Sequence, residues 1–516
     1  VIRVMEFPKD DPRFDANNIK YSTIRYAPLW MSTPDMSMHI DSRTGEILNS
    51  SMYIFNNFIS RLYFTRAVQT MATDPRVRAY ELPEDVMGEM IRVEMMQLTG
   101  RCLGLSLNPA GAYAYPVDSL RSASFTRKYG LAASVLNDVY CNYIAQPEDV
   151  EKGARLTPAG LGEYDMYAIH WLYKPIPEAK TPESEKEVLD GWIREKQGNP
   201  AYRFAYQQPN LGGDPTAKMK TLGNDHIKAL EYTLKNIKIG MANYFDWFTE
   251  RDKTLDYRRR VREELVDLFT RGVDNVASYI GGIQVNEVYA GDAVPSYEFI
   301  PKSKQKEAMN YLLALAKDVA WVDDVKRQQE FEIKDLQAEK VQMRILGTLL
   351  ERISVVELSA EKGGNYSPED YVNDLYRVVW EGTLKRRTLD NVEKALQTAF
   401  LESIIATSTV TAPIGSFKAS KTSFADTRKS EISLAALREG ENVEHYLHSL
   451  QTPEEVSGFS SIPPIYTNQT KVAAYYFDML MRTKEMLEKS IAVMPEADRS
   501  HYELLIYRIN KAVEIK

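Results

Sequence analysis

The chain has 516 residues, a length that corresponds to about three domains of ordinary size. Hydrophobic residues make up 44% and charged residues 26% of the chain, which excludes a mostly disordered or collagen-like protein. The net charge of −8 argues against nucleic acid as the main partner, and no apolar run approaches the roughly 18 residues of a transmembrane segment.

Patterns in the first 105 residues predict strands and then one long helix. Residues 1–7 and 20–26 are rich in the residue types that favour a pleated surface. Residues 47–55 predict either a further strand or the start of a helix. Apolar residues recur at helical spacing over residues 83–105, and Gly104 marks the expected end of this helix.

The rest of the chain divides into an irregular, a polar and a helical part. Residues 106–165 are rich in tyrosine, proline and glycine, and residues 178–213 form a polar stretch that predicts a connector or a surface excursion. From about residue 221 the apolar period becomes 3.6, which predicts about ten helices with one hairpin-like interruption at 281–300. We therefore predict two domains, residues 1–210 and residues 211–516.

The segment Gln97–Asn108 has the spacing of a zinc-binding helix without its ligands. In the pattern H-E-x-x-H-x-x-G-x-x-H, three histidines hold the metal, and the glutamate takes a proton from zinc-bound water. Gly104 stands where the pattern needs its glycine, although alone it indicates only the end of a helix. The ligand positions hold Gln97, Arg101 and Leu107, and the base position holds Leu98. An amide oxygen is a weak zinc ligand, a guanidinium repels a cation, and leucine neither binds metal nor accepts a proton.

Further motifs surround this segment on both sides. They are Asp41–Ile47, Leu103–Leu105 with Asn108, Tyr115–Arg121, Ser134–Asp138, Asn142–Pro147 and Gly162–Trp171. In the order and spacing of these motifs, residues 1 to about 180 resemble a family of large exported bacterial zinc-dependent metallopeptidases of the metzincin-like type. The similarity continues more weakly into the helical half. The family's Met-turn, Ser-Ile-Met-Asp-Tyr, corresponds to Ser134–Asp138, where Leu136 replaces the methionine.

This resemblance implies a fold, a cofactor and a compartment. The fold is an α+β zincin-like (metzincin-type) domain followed by a large, mostly α-helical region. The family's cofactor is zinc, and its members are exported to the periplasm, the cell surface or the exterior. Because all ligand positions, the base position and the Met-turn position are changed, we predict that zinc is lost here. The chain then has no catalytic residue and is an inactive homologue of a metallopeptidase.

An active metallopeptidase with a non-standard metal site is the alternative. His39 and His170 are the histidines nearest in sequence, and they would have to converge with carboxylates at set distances. Cys102 and Cys141 are too few for a thiolate zinc site or a disulfide scaffold. We expect these cysteines to be two separate buried thiols.

Residues retained from the family's motifs are the candidate lining of a surviving cleft. They are Asn108, Tyr115, Asp118, Asn137, Asp138 and Tyr143. Scaffolding is the simpler explanation for most of them, because sequence resemblance does not transfer activity. In the family's fold the substrate adds to an edge strand, and the strand that follows Thr44–Glu46 is the expected edge. Arg101, if it points into the former metal position, makes this cleft cationic and suited to a carboxylate.

Two non-enzymatic functions remain open. A binding protein for a peptide or a protein in the cell envelope or outside the cell predicts an open, tyrosine-lined groove. A structural partner subunit predicts an exposed apolar patch and a cleft filled by Leu98, Leu107 and Leu136. The leucines favour the structural function slightly, because an apolar plug stabilises a core that has no metal. The sequence names neither the ligand nor the oligomeric state.

Overall fold

The structure is a computed structural model that describes residues 3–9, 11, 13–206, 213–248, 255–288, 294–323, 337–407 and 469–514. The chain forms two compact units, Val1–Ser367 and Pro368–Lys516. Residues on both sides of position 210 belong to the first unit, and the domain boundary near that position stays a prediction. Within the described ranges, no helix is long and apolar enough to cross a membrane.

A three-stranded sheet opens the first unit. Its strands are β1 (Ile24–Ala27), β2 (Asp35–Ile40) and β3 (Ile47–Phe55), in the order β1-β3-β2. β1 runs parallel and β2 antiparallel to β3. The prediction that the strand after Thr44–Glu46 forms an edge is therefore wrong, because β3 is the central strand. The strand predicted over residues 1–7 is also wrong for its described part, residues 3–7, which forms none.

Polar side chains of β3 bind the segment that leads into β1. The Asn49 side-chain amide donates hydrogen bonds to the carbonyls of Ile19 and Tyr21, both at 2.9 Å. The Thr23 amide donates to the Ser51 hydroxyl at 3.2 Å. These bonds hold the segment leading into β1 against β3 across about 28 residues, which an apolar pattern does not reveal.

Helix α2 (Glu84–Cys102) confirms the helix predicted over residues 83–105. It packs on α1 (Phe58–Thr70) and on the sheet. At its end the Gly104 amide donates to the Arg101 carbonyl at 2.9 Å, and the Leu105 amide donates to the Gly100 carbonyl at 3.0 Å. This is a Schellman cap, and Gly104 adopts the left-handed φ of +81° that such a cap requires.

Short helices interrupt the irregular region that follows α2. They are α3 (Ala110–Tyr113), α4 (Ala123–Tyr129) and α5 (Pro147–Glu151), followed by α6 (Glu163–Tyr173). The polar stretch predicted as a connector or a surface excursion contains a further helix, α7 (Pro182–Lys196), which has no buried residue and so agrees with a surface excursion. The Thr181 hydroxyl caps α7 by accepting from the Ser184 amide at 3.3 Å. None of its residues is buried, although Val188, Leu189, Trp192 and Ile193 recur at helical spacing.

The remainder of the first unit is helical, with one hairpin. Its elements are α8 (His226–Trp247), α9 (Asp256–Ala277), β4 (Ile283–Val285), β5 (Tyr297–Phe299), α10 (Lys302–Lys317) and α11 (Gln337–Glu361). The antiparallel pairing of β4 with β5 confirms the predicted hairpin, although residues 289–293 of its connection lie outside the described ranges. Gly281 has a φ of +70°, and a Cβ there would lie 2.6 Å from the Val356 amide nitrogen. Only glycine fits this contact between the hairpin and α11.

The second unit is helical throughout its described part. Its helices are α12 (Pro368–Val379), α13 (Glu381–Leu384), α14 (Asn391–Thr407), α15 (Gln469–Ser490) and α16 (Glu496–Glu514). Trp380 and Tyr502 are fully buried in its core. The buried Asp498 carboxylate pairs with Lys394 at 2.7 Å and accepts from the Leu389 amide at 3.0 Å. This unit therefore has its own apolar core and its own buried ion pair.

Candidate functional site

Gln97, at the first ligand position, is tied into a buried polar cluster. Its side-chain oxygen accepts a hydrogen bond from the Tyr140 hydroxyl at 3.3 Å. The same hydroxyl donates to the Glu94 carboxylate at 2.6 Å, and that carboxylate pairs with Arg61 on α1. The Arg61 guanidinium also donates to the Tyr140 hydroxyl at 3.3 Å and to the Ser32 carbonyl at 3.0 Å.

This cluster of Arg61, Glu94, Gln97 and Tyr140 balances one positive charge with one negative charge. The Glu94 side chain is 5% and the Arg61 side chain 22% exposed, so the pair lies mostly away from water. Burial, followed by the charges of Asp138 and Glu94, raises the pKa of Tyr140 well above its usual range. Tyr140 therefore stays protonated, and its single hydroxyl hydrogen lies between the Glu94 carboxylate at 2.6 Å and the more distant Gln97 oxygen at 3.3 Å.

Leu98, at the base position, faces the sheet and not a polar space. It is 2% exposed and belongs to an apolar cluster with Met36, Met52 and Cys102. The helix therefore turns this position towards β2 and β3. Cys102 and Cys141 are both buried and unpaired, as predicted.

Arg101, at the second ligand position, lies within electrostatic reach of Asp35 at the start of β2. Burial raises the pKa of the Asp35 carboxyl, while the Met36 amide at 2.8 Å and the Arg101 charge oppose this effect. Asp35 offsets part of the positive charge that Arg101 brings to this place.

The third ligand position and the Met-turn position have opposite environments. Leu107 is 36% exposed, whereas Leu136 is fully buried with Leu105 and Ala168. Leu136 packs under α2, where a Cβ at position 100 would come within 3.2 Å of its Cδ2 atom. The expectation that Leu107 helps to fill the cleft is not met, because the chain after Gly104 turns this side chain to solvent.

Asp165 fixes the segment that corresponds to the Met-turn. Its carboxylate accepts from the Ser134 hydroxyl at 2.6 Å, from the Val135 amide at 2.9 Å and from the Gly162 amide at 2.7 Å. Burial raises the pKa of Asp165, and these three hydrogen bonds oppose the rise. Sequence analysis noted Asp165 only as part of a motif. Its signal was its place three residues after Gly162, at the start of α6.

Three of the six candidate cleft residues are buried and bonded to the scaffold. The Asn108 side chain donates to the Arg203 carbonyl at 2.9 Å and accepts from the Ala205 amide at 3.3 Å. The Tyr115 hydroxyl donates to Glu163 at 3.1 Å. The Asn137 side-chain oxygen accepts from the Val139 amide at 3.1 Å. These contacts support the scaffolding explanation for Asn108, Tyr115 and Asn137.

The other three candidates lie nearer the surface and contact residues 220–232. Asp138 pairs with Lys220 at 3.1 Å, and the Tyr143 hydroxyl donates to the Lys220 carbonyl at 3.1 Å. Asp118 pairs with Lys228, and the hydrogen bond from Lys228 lowers the pKa of this carboxyl. Of the six candidates, Asp138 also lies within electrostatic reach of Tyr140, the hydrogen-bond partner of Gln97.

A large cavity lies beyond the C-terminal end of α2. Its volume is about 780 Å³, and Gly104, Leu105 and Ser106 form part of its wall. Its lining is rich in tyrosine, but includes neither the four zinc-helix positions nor the six candidate cleft residues. None of the ligand and base positions of the zinc motif therefore lines this cavity.

Comparison with known proteins supplies the family. The sequence profile of the Met-zincin family matches residues 79–387, more than half of the 516 residues. The chain belongs to this family. No curated protein and no solved structure matches it. The matched range includes α2, the Met-turn segment and the helices up to the start of the second unit.

Met-zincins normally bind zinc, but the residues of this chain at the corresponding positions do not fit the metal. Gln97 offers one amide oxygen, which already accepts from Tyr140. Arg101 is a cation, and Leu107 has no donor atom. Among the described residues, no group of three or more histidine, cysteine, aspartate and glutamate side chains is placed to hold a metal.

Proposed function

We propose that this Met-zincin is a catalytically inactive relative of zinc metallopeptidases that binds a polypeptide without cutting it. The observation that carries the proposal is the bonding of Gln97. A histidine there would present its ring nitrogen to zinc, whereas the Gln97 oxygen is held by Tyr140 inside a neutral, mostly buried cluster. Leu98 faces an apolar cluster, so no side chain at the base position can take a proton from water.

The proposal includes a zincin-type arrangement of α2 and the sheet. Membership in the Met-zincin family supports it, as does the packing of α2 against a mixed sheet. β2 is an antiparallel edge strand among the described strands, with His39 and Ile40 exposed. Such an edge can accept an added strand from a ligand. The exposed Leu107 favours a binding protein over a subunit whose cleft is plugged.

Export to the cell envelope or the exterior remains part of the proposal through the resemblance described above. The polypeptide ligand would lie along β2, near Arg101 and Asp35. Because Asp35 offsets part of the Arg101 charge, the charge of the ligand would affect binding most where the ligand contacts Arg101 directly.

Metal content tests the loss of catalysis. Purified protein is incubated with excess zinc, desalted and analysed by elemental mass spectrometry, alongside cleavage of a quenched fluorescent peptide. We expect background zinc and no cleavage, both in the native chain and in Gln97→Ala. Near one zinc per chain, together with chelator-sensitive cleavage, would restore the active-peptidase alternative.

Charge reversal tests the binding role. A fluorescein-labelled acidic decapeptide with a free C-terminus is titrated against the native chain, Arg101→Glu and Arg43→Glu. Arg43 is a suitable control because its side chain is 85% exposed on the turn after β2 and pairs only locally with Asp41. We expect binding to be lost in Arg101→Glu and kept in Arg43→Glu. Equal binding by all three proteins would contradict a role for Arg101.

A further inference from the structure

One wall of the 780 Å³ cavity is a connected set of aromatic rings from α6 and from residues 202–206. The lining rings are Tyr164, Tyr167, Trp171, Tyr202, Phe204 and Tyr206. Tyr164 stacks on Phe204 at 6.2 Å, and Phe204 meets Tyr206 edge-on at 4.8 Å. Tyr167 meets Tyr202 edge-on at 5.5 Å. The rings fix one another and remain partly exposed, so the wall presents preformed apolar faces to the cavity.

The hairpin supplies polar side chains to the same cavity. The Gln284 amide donates to the Asn286 side-chain oxygen at 3.1 Å, and the Asn286 amide donates to the Glu298 carboxylate at 2.6 Å. Glu287 and Asn224 also line the cavity. The amide groups here can both donate and accept hydrogen bonds, and the carboxylates accept them.

Arg203 joins the aromatic wall to the hairpin. Its guanidinium donates to the Asp214 carboxylate at 2.6 Å, to the Thr216 hydroxyl at 2.6 Å and to the Val285 carbonyl at 3.0 Å. Asp214 in turn accepts from the Val285 amide at 3.0 Å. The charge of Arg203 is thus compensated within the scaffold, and the two walls are held at a set separation.

The charges of the cavity disfavour an anionic ligand. Besides Arg203, the cation in the described lining is Lys196, which pairs with Glu195 at 3.0 Å and lies 5.3 Å from the centre of the Tyr202 ring. Two carboxylates, Glu287 and Glu298, face these compensated cations. A phosphate or carboxylate ligand would meet no free positive charge and would be repelled by these acids.

We infer that the cavity binds a neutral oligosaccharide of a few sugar units. The apolar C–H face of a sugar ring can pack on an aromatic ring, while its hydroxyl groups exchange hydrogen bonds with amides and carboxylates. The aromatic wall and the hairpin side chains offer these two kinds of contact across one space. The volume lies in the usual range for ligand cavities, roughly 300–1,000 Å³.

A peptide main chain fits this cavity less well. Extended peptides are recognised chiefly through backbone hydrogen bonds along a free strand edge. Here β4 and β5 pair with each other, and side-chain rings, amides and carboxylates supply the contacts. The oligosaccharide site is thus independent of the polypeptide edge proposed above.

Calorimetric titration of the full chain tests this inference. The probes are chitotriose, cellotriose, maltotriose and mannotriose, with trigalacturonate and a blocked alanine–tyrosine hexapeptide for comparison. We expect saturable binding of at least one neutral trisaccharide, unchanged between low and high sodium chloride. Absence of binding by all four neutral sugars, or tighter binding of trigalacturonate or of the peptide, would overturn the inference. Neither outcome of the calorimetric titration tests whether the chain binds zinc.

Ring removal locates the site. We expect Tyr167→Ala and Tyr206→Ala each to weaken sugar binding roughly two- to tenfold, the range that one aromatic contact contributes. The matched control is Tyr507→Ala, which removes a ring of similar exposure, 57% against 50% for Tyr206, from the second unit. Equal affinity of Tyr206→Ala, Tyr167→Ala and the control would assign the sugar to another surface.

Discussion

At the scale of single residues, Tyr140 is the centre of the polar contacts around Gln97. It links Gln97 to Glu94 and Arg61 across separations of 43 and 46 residues from the two α2 side chains. The zinc pattern identified position 97 from spacing alone. It could not identify Tyr140 or Arg61, because these partners come from other elements and share no local pattern with α2.

The Arg61–Glu94 pair gives a stability prediction. We expect Glu94→Gln to lower the free energy of unfolding by about 3 kcal/mol, because it leaves the mostly buried Arg61 without its counter-charge. Urea unfolding followed by circular dichroism measures the change. Asp118→Asn is the control, since its pair with Lys228 is largely exposed, and we expect it to cost less than about 1 kcal/mol. A loss of similar size in the two variants would contradict the buried-pair argument.

His226 gives a pH prediction. Burial lowers its pKa from 6.5 to about 4, and its Nε2 atom lies 2.6 Å from the Pro215 carbonyl, to which the neutral ring donates. The unfolded chain therefore binds a proton at this residue between pH 6.5 and 4, whereas the folded chain does not. The contribution of His226 to the free energy of unfolding is fully present above pH 6.5. It falls as the pH drops towards 4, by up to about 3 kcal/mol.

Urea unfolding at several pH values between 7 and 4 measures this fall. We expect His226→Gln to show a shallower decrease than the native chain, because glutamine can donate to Pro215 without titrating. His39→Gln, which changes an exposed ring on β2, should keep the native slope. Half-buried His501 in the second unit has its pKa lowered in the same direction, so the comparison between variants carries the result.

At the scale of elements, the sequence pattern predicted α2 closely and the sheet less well. The 3.6-residue period and Gly104 predicted the helix and its end, because both signals are local. The central position of β3 was missed, since it depends on Asn49 and Ser51 bonding to residues almost 30 positions away. Helix α7 was not predicted, because the many charged residues, prolines and glycines of residues 178–213 indicated a surface segment and outweighed the apolar spacing within it.

Positions 98 and 107 give opposite outcomes when the residues of the family's zinc motif are restored. Leu98→Glu places a carboxylate in an apolar cluster, and we expect it to destabilise the protein by several kcal/mol, roughly 2–5, or to unfold it. Leu107→His lies at a 36% exposed position, and we expect a change within about 0.5 kcal/mol. Thermal unfolding of both variants measures the contrast. If Leu98→Glu were as stable as Leu107→His, position 98 would face a polar space instead of the sheet.

At the scale of the whole molecule, the two compact units and a domain boundary near residue 210 predict different fragments of the chain to fold on their own. Residues 1–210 lack several partners that lie later in the first unit. The Asn137 carbonyl accepts a hydrogen bond from the Lys220 amide at 3.0 Å, and the Gln146 side-chain amide donates to the Tyr232 carbonyl at 3.2 Å. A fragment that ends at 210 loses these contacts.

We therefore expect fragments 1–367 and 368–516 each to unfold cooperatively in urea, because each contains its own buried core. Fragment 1–210 should be expanded and bind a hydrophobic dye, since α8 and the residues around it are missing. Size-exclusion chromatography and circular dichroism compare the three. A compact, cooperative fragment 1–210 would instead support the boundary predicted from sequence.

The mixed sheet also sets an order of events during synthesis. β1 and β2 each pair only with β3, so neither strand has a partner until Phe55 has left the ribosome, although only six residues separate β2 from β3. Until then β1 is a free segment, with side chains such as Ile24 and Tyr26 that remain about half exposed or more even when folded. The first strand of the sheet to be synthesised therefore waits longest for its partner. The nascent chain carries an unpaired strand edge until β3 has been made.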